Sequence, residues 1–285
     1  MFTRTWRLVK DSVEAFIEDE ALSRGASIAF YASTSLGPVL LVVVAIAGLA
    51  FGDDAARGAV SAELSGLMGK ASADLVQSVL QGASSKSSGI VASILGTVTL
   101  FITISGVFGE MQAALNAIWR TRAPGTTISR LVRARAASLG LVAALGFLML
   151  ISLVISAVLS ALQDTINAVL PFSALVLEIV NFVISFGLIS VMFAAIYKVL
   201  PDTKLSWHDV MVGAVVTALL FTLGKFLIGL YLGHSAVASS YGAAGALIVV
   251  LLWIYYSAQI FLLGAEFTKI YASHRGTPAA IRARD

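Results

Sequence analysis

The feature that most constrains this chain is a series of long stretches without a charged residue. Residues 25–52 and 136–163 contain no Asp, Glu, Lys or Arg. A bilayer core about 30 Å thick needs only about 20 helical residues to cross it. The whole chain is 58% hydrophobic and 12% charged, whereas about a quarter of the residues in soluble chains are charged. The sequence therefore predicts an integral membrane protein.

Apolar segments of sufficient length occur six times, which predicts an all-α, polytopic membrane helix bundle in a single domain, residues 1–285. The predicted transmembrane helices are 28–50, 89–115, 136–162, 172–197, 210–232 and 242–267. Residues 268–285 are expected to form a cytoplasmic tail. No short apolar core with a cleavage site precedes the first span, so we expect that span to remain in the membrane.

Two other segments are amphipathic and too polar to span a bilayer. Residues 3–20 are expected to form a helix in the cytoplasmic membrane interface. Residues 55–83 repeat apolar side chains every three or four positions, which predicts an outer helix or helical hairpin. This outer segment is interpreted as a cap packed on the bundle, and the alternative is a lid or docking surface.

The distribution of Lys and Arg predicts the orientation, because basic residues in short loops accumulate in the cytoplasm. With both termini inside, only Arg57, Lys70 and Lys86 fall on the outer side. The cytoplasmic set comprises Arg4, Arg7, Lys10, Arg24, Arg120, Arg122, Arg130, Arg133, Arg135, Lys198, Lys204, Lys269, Arg275, Arg282 and Arg284. We therefore expect both termini in the cytoplasm.

Several kinds of chemistry are not expected. The absence of cysteine excludes disulfides and thiolate metal sites. No phosphate-binding loop occurs, so we expect no ATPase of its own. The histidines, His208, His234 and His274, lie on separate segments, and we expect neither a metal site nor a cofactor. With no recognisable grouping of catalytic residues, the chain is not expected to be an enzyme.

The excess of basic residues indicates a partner. It is spread over four cytoplasmic edges without a nucleic-acid-binding motif, so we expect anionic lipid head groups and no nucleic acid. A homo-oligomer, most simply a dimer, is the expectation for a small bundle.

Polar residues inside apolar helices are candidates for a functional site, because an ionisable group in a membrane is costly. Lys225, Glu178 and Gln259 form the candidate intramembrane polar site. Counting residues along each helix places Lys225 and Glu178 at similar depth, which predicts an ion pair. The alternative is that Lys225 extends to the outer interface without a partner.

A second candidate is an acidic pair, Glu110 and Glu266, at the cytoplasmic ends of two predicted helices. The two carboxylates would together bind a proton or a cation. The alternative is that each is solvated or paired with a nearby base such as Arg120 or Lys269.

Four segments carry a resemblance to a known family. They are YGAAGALIVVLLWIYYSAQIFLLGAEF (Tyr241–Phe267), SIAFYASTSLGPVLLVV (Ser27–Val43), ALNAIW (Ala114–Trp119) and LPDTKLSWHDVMVGA (Leu200–Ala214). The chain resembles the YihY family, also called the virulence factor BrkB family and formerly named ribonuclease BN. The resemblance implies about six helices, a location in the bacterial inner membrane and an envelope role. The mainly basic cytoplasmic loops do not support the nuclease name.

These observations lead to two functional hypotheses. The first is a transporter or lipid-handling protein with a lipid or amphipathic substrate, suggested by the intramembrane polar residues. The alternative is a non-transporting envelope scaffold or assembly factor, suggested by the outer amphipathic segment.

Overall fold

The computed structural model describes residues 2–68, 70–85, 105–121, 173–234 and 237–277. Every regular element in these ranges is an α-helix. The helices are α1 (Phe2–Glu18), α2 (Ala21–Phe51), α3 (Asp53–Met68), α4 (Lys70–Ser85), α5 (105–118), α6 (Ser173–Val199), α7 (Trp207–His234) and α8 (Val237–Arg275). The all-helical class is confirmed for this part of the chain.

Three described segments are long and apolar enough to cross a membrane: Ile179–Val199, Trp207–Ile228 and Ala244–Arg275. They correspond to the predicted spans 172–197, 210–232 and 242–267. The 31-residue helix α2 covers the predicted span 28–50. The predicted span 136–162 lies outside the described residues. Of the predicted span 89–115, residues 89–104 also lie outside them. The count of six therefore stays a prediction.

Helix α8 is longer than predicted, because it continues to Arg275. Thr268, Lys269 and Ala272 are buried in this extension. They pack against other helices, so the helix and its contacts continue beyond the predicted end of the span at residue 267. The limits of the span in the membrane and the cytoplasmic tail 268–285 stay predictions.

The outer surface of α6, α7 and α8 carries many large apolar side chains. The exposed set includes Ile179, Phe182, Val183, Leu219, Leu223, Phe226, Leu227, Leu247, Ile248 and Leu252. A soluble monomer rarely exposes so many large apolar groups together. Hydrocarbon is the solvent that suits this surface, in agreement with membrane insertion.

Helix α1 is amphipathic, as predicted for residues 3–20. Trp6 is 67% exposed and Ile17 65% exposed, whereas Ser12 and Ala15 are buried. The buried side contacts α8. After α1, the chain turns at Asp19 and Glu20, and Glu20 adopts the left-handed backbone region at φ 53°. This α1–α2 turn brings Asp19 against α8.

The predicted outer segment is a helical hairpin formed by α3 and α4. Leu64, Ala73 and Val76 of the hairpin share a buried apolar cluster with Val249 and Trp253 of α8. The hydroxyl group of Ser61 on α3 donates a hydrogen bond to the side-chain Oε1 atom of Gln77 on α4 (3.2 Å). The hairpin is therefore fixed to the bundle by apolar contacts, and its place on the outer side and its role as a cap stay predictions.

Helix α5 is tied to the loop between α6 and α7. The side-chain amide of Asn116 donates to Asp202 Oδ2 (2.7 Å), and the backbone N–H of Asp202 donates to Asn116 Oδ1 (2.9 Å). Gln112 Nε2 adds a third bond to Asp202 Oδ1 (3.2 Å). Two segments that carry the family resemblance, ALNAIW and LPDTK, are thus joined here.

Candidate functional site

Helix α8 is held in place by close contacts with α6 and α7. Tyr197 Oη donates to the carbonyl oxygen of Phe261 (2.7 Å) and lies 3.0 Å from Thr217 Oγ1. These groups are buried, so the contacts satisfy polar atoms that have no access to water. A Cβ at Gly264 would overlap Thr217 Oγ1 and lie 2.6 Å from Tyr197 Oη. Glycine is required there because the helices approach too closely for a side chain.

Three ionisable side chains meet where the α1–α2 turn contacts α8. Lys269 Nζ donates to Asp19 Oδ2 (2.7 Å) and to Glu266 Oε2 (3.1 Å). The Glu266 side chain is fully buried, and those of Lys269 and Asp19 are 10% and 18% exposed. One ammonium group therefore serves two carboxylates in a site with little water. We call Asp19, Glu266 and Lys269 the acidic triad.

The electrostatics of Asp19 reflect this arrangement. Burial acts to raise the pKa of Asp19, but hydrogen bonds from Lys269 and the Glu266 carboxyl group, with the positive charges of Lys269 and Arg120, outweigh it. The pKa of Asp19 is therefore held below its ordinary value. Asp19 is the carboxylate that the surrounding groups keep ionised.

One oxygen atom of the Glu266 carboxyl group lacks a described hydrogen-bond partner. Its Oε1 atom is buried and has no hydrogen-bond partner among the described residues. A buried, unpartnered polar atom usually costs about 1 to 3 kcal/mol, and more when the group is charged. An anionic Glu266 is thus poorly solvated in this structure, whereas a protonated one needs fewer donors.

The structure partly answers the prediction about Glu110 and Glu266. Glu266 pairs with Lys269, one of the bases that the alternative interpretation named. Glu110 lies on α5 with a half-buried side chain. Between these two described carboxylates there is neither a hydrogen bond nor an ion pair with a shared base. A joint site with Glu110 stays a prediction without a contact to support it.

Gln259 lies about two turns before Glu266 on α8 and faces the start of α2. Its Nε2 atom donates to the carbonyl oxygen of Leu22 (3.2 Å), while its Oε1 atom is buried and has no described partner. A Cβ at Gly25 would lie 2.8 Å from the Gln259 Cδ atom. Gln259 therefore contributes a helix contact next to the acidic triad.

The register of α6 and α7 bears on the predicted pair of Lys225 and Glu178. Tyr197 faces Thr217, and the ring centroids of Phe193 and Phe221 are 5.9 Å apart. Continuing this antiparallel register places Lys225 level with Ile189, about 16 Å along α6 from Glu178 at 1.5 Å per residue. The side chain of Glu178 lies outside the described part. The register disfavours a direct ion pair, which remains untested.

Sequence reasoning did not identify Asp19 as a site residue, and it named Lys269 as a cytoplasmic base that could pair with Glu266. The two residues are 250 positions apart in the chain. One local signal was available, because Glu266 and Lys269 are three residues apart on a helix and such pairs face the same side. Nothing local indicates that Asp19 approaches them.

A second polar cluster closes the same end of the bundle. Arg275 Nη1 donates to Asp209 Oδ1 (3.1 Å) and also contacts His208. His274 Nε2 lies 3.8 Å from Asp11 Oδ2 of α1. These contacts tie the end of α8 to α7 and α1. In the residues that the structure describes, no group of three His, Cys, Asp or Glu side chains has a metal-binding arrangement.

Comparisons with known proteins agree on one family. The family model described as virulence factor BrkB matches residues 12–284. A UPF0761 membrane protein of Pseudoalteromonas translucida (strain TAC 125) is 28% identical over 254 residues, which cover 88% of this chain and 81% of the relative. A UPF0761 membrane protein of Yersinia pestis (strain Pestoides F) is 30% identical over 208 residues, covering 72% and 67% respectively. No solved structure matches.

Proposed function

Because the chain belongs to the virulence factor BrkB family and is a membrane protein, we propose that it is an inner-membrane protein that moves lipids or other amphipathic molecules of the cell envelope without an ATPase of its own. In this proposal it binds and transfers its substrate without converting it chemically.

The observation that carries this proposal is the acidic triad at one end of an apolar span. Glu266 and Lys269 lie within the candidate span Ala244–Arg275, and both are buried. Ionisable groups in such a segment are costly and usually mark a substrate or ion pathway. A purely structural contact would be served at lower cost by apolar side chains.

The class of substrate is inferred from the surfaces around the triad. The apolar face of α1 is exposed at Trp6, Val9, Val13 and Ile17. The same helix carries Lys10 and Glu14 as an exposed ion pair. An amphipathic helix of this kind lies in the head-group region, where lipid or amphipathic substrates and anionic head groups are found.

The function can be tested with the purified protein in lipid vesicles. Transfer of fluorescent lipids and of a panel of amphipathic solutes is measured with and without a proton gradient. We expect transfer by the unmodified protein and a loss on Glu266→Gln, with Asp74→Asn, a change at an exposed carboxylate of α4, as the control. No transfer across the panel by a folded protein would refute the proposal.

We also propose that both termini face the cytoplasm, as the distribution of basic residues indicates. The chain contains no cysteine, so single cysteines can be introduced without a background. An impermeant maleimide applied to intact cells should label cysteines at positions 84 and 235 and spare those at 126 and 277. The reverse pattern would overturn the orientation.

The alternative function is an envelope scaffold or assembly factor. It is supported by the hairpin α3–α4, which the apolar cluster around Leu64 and Trp253 fixes to α8. A fixed hairpin offers a permanent surface to a partner, whereas a lid requires movement. A chain that is silent in every transfer assay, and whose hairpin surface is nevertheless essential in cells, would favour this alternative.

A further inference from the structure

The acidic triad has an unbalanced charge. With both carboxyl groups ionised, Asp19 and Glu266 carry two negative charges and Lys269 supplies one positive charge. Arg24 uses its Nε atom to donate to the backbone oxygen of Asp19 (2.9 Å) and lies at the edge of the site. Arg120 attracts Asp19 but is exposed. No fully buried base in the described part offsets the second carboxylate.

An unbalanced charge in a water-poor site favours binding of a proton. Asp19 is the poorer acceptor for it, because Lys269 lies at 2.7 Å from its carboxylate and part of its side chain meets solvent. Glu266 lies farther from the same ammonium, is fully buried, and has an Oε1 atom without a partner. The geometry therefore favours Glu266 as the protonated group.

We propose that Glu266 is a reversible proton-binding site and that binding of the proton keeps the α1–α2 turn packed against α8. We call the turn seated when it is packed in this way. With Glu266 neutral, Lys269 pairs fully with Asp19 and holds the turn. With Glu266 ionised, two carboxylates repel each other and compete for Lys269, which weakens the contact of Asp19 with α8. The turn is therefore seated at pH values at which Glu266 is protonated and Asp19 is ionised, and it loosens as pH rises and Glu266 loses its proton.

Other charged groups near the site have contacts of their own. On α1, Asp11 lies near His274 of α8. On α7, Asp209 pairs with Arg275, and the ammonium of Lys198 on α6 donates to the carbonyl oxygen of Leu205. On the α5 side, Arg120 is the charged group that acts on Asp19. The described site therefore depends on Asp19, Arg24, Arg120 and Lys269 around Glu266.

The proton site does not depend on transport, so it can be tested on the resting protein. If the proposed function also holds, the proton bound at Glu266 is the ion that drives transfer. Only this assignment of a coupling ion rests on the proposed function. If the protein binds the proton but transfers no substrate, the proposed function fails and the proton site stands.

The direct test is infrared difference spectroscopy of the protein in lipid nanodiscs during a pH titration. A protonated carboxylic acid gives a carbonyl stretching band that shifts on exchange into D₂O. We expect a band that titrates in the unmodified protein, disappears in Glu266→Gln and persists in Asp74→Asn, which changes an exposed carboxylate of α4. Glu266→Asp, which retains a carboxyl group, should restore a band. A band unchanged by Glu266→Gln, or none at any pH, would overturn the proton site.

The seating of the turn can be measured by cysteine labelling. Ala21 is fully buried at the start of α2, and Ser23 in the same turn of helix is exposed. The labelling rate of Ala21→Cys divided by that of Ser23→Cys cancels the pH dependence of the thiol itself. We expect this ratio to rise with pH, by up to about tenfold per pH unit for one linked proton.

The same ratio in the Glu266→Gln background should not change with pH, because the titrating group is absent. A constant ratio in the unmodified background, or an equal rise in Glu266→Gln, would refute the seating of the turn by this proton. Circular dichroism of each cysteine variant checks that it is folded.

Discussion

Replacing Lys269 by Met should destabilise the folded protein more than any other single change in the acidic triad. Lys269 is the only described partner at 2.7 Å from Asp19 Oδ2 and 3.1 Å from Glu266 Oε2. Its side chain is 10% exposed, so little water can replace it. Removing one member of a buried ion pair costs about 3 to 5 kcal/mol, because the remaining charge is left unpaired.

Glu266→Gln should cost much less than Lys269→Met. The amide preserves the shape of the side chain and removes the unbalanced negative charge, so we expect a change of about 1 kcal/mol or less. Lys269→Met combined with Glu266→Gln should recover part of the loss, because only Asp19 then lacks its partner.

The assay is unfolding of each variant in the same detergent at neutral pH, followed by circular dichroism. Lys10→Met is the control, since Lys10 forms an exposed pair with Glu14 at 3.4 Å, and such pairs contribute only about 0.2 to 0.5 kcal/mol. If Lys269→Met were as stable as Lys10→Met, the triad would not be a buried ion cluster. If Glu266→Gln were as costly as Lys269→Met, Glu266 would be a required anion.

Three further predictions test the fold around the site. Gly264→Ala should destabilise by about 1 to 3 kcal/mol through overlap with Thr217 and Tyr197; Gly187→Ala, with open space around its Cβ, should be neutral or stabilising in the same unfolding assay. Asn116→Ala should lower the free energy of unfolding by about 1 to 2 kcal/mol, and more than Gln112→Ala, because it loses two bonds to Asp202 instead of one. Because the pKa of Asp19 is lowered from 3.8, the contribution of Asp19 to stability should be fully present above that value and lost as pH falls through the lower, folded-state pKa. In Asp19→Asn the free energy of unfolding should therefore depend less on pH in this acid range. The same acid dependence in Asp19→Asn as in the unmodified protein would contradict this prediction.

Local sequence was sufficient to predict the membrane class and the positions of several helices. The predicted spans 172–197 and 210–232 agree within three residues at each end with α6 (Ser173–Val199) and α7 (Trp207–His234). The helix predicted at 3–20 corresponds to α1 (Phe2–Glu18), and its place in the membrane interface stays a prediction. These features depend on hydropathy and on the thickness of the bilayer, and both are recorded in consecutive residues.

The site was decided by tertiary structure. Glu266 was recognised from its sequence position, but its partner Asp19 approaches from 247 positions away, and only the packing of the α1–α2 turn on α8 brings them together. The predicted pairing of Lys225 with Glu178, which counted from the midpoint of each helix, stays a prediction that the register of α6 and α7 disfavours. That count ignores how far one helix is displaced along the next, which is set by side-chain contacts such as Tyr197 with Thr217. Hydropathy fixes which residues are helical and apolar, whereas the packing between distant helices fixes which charges meet.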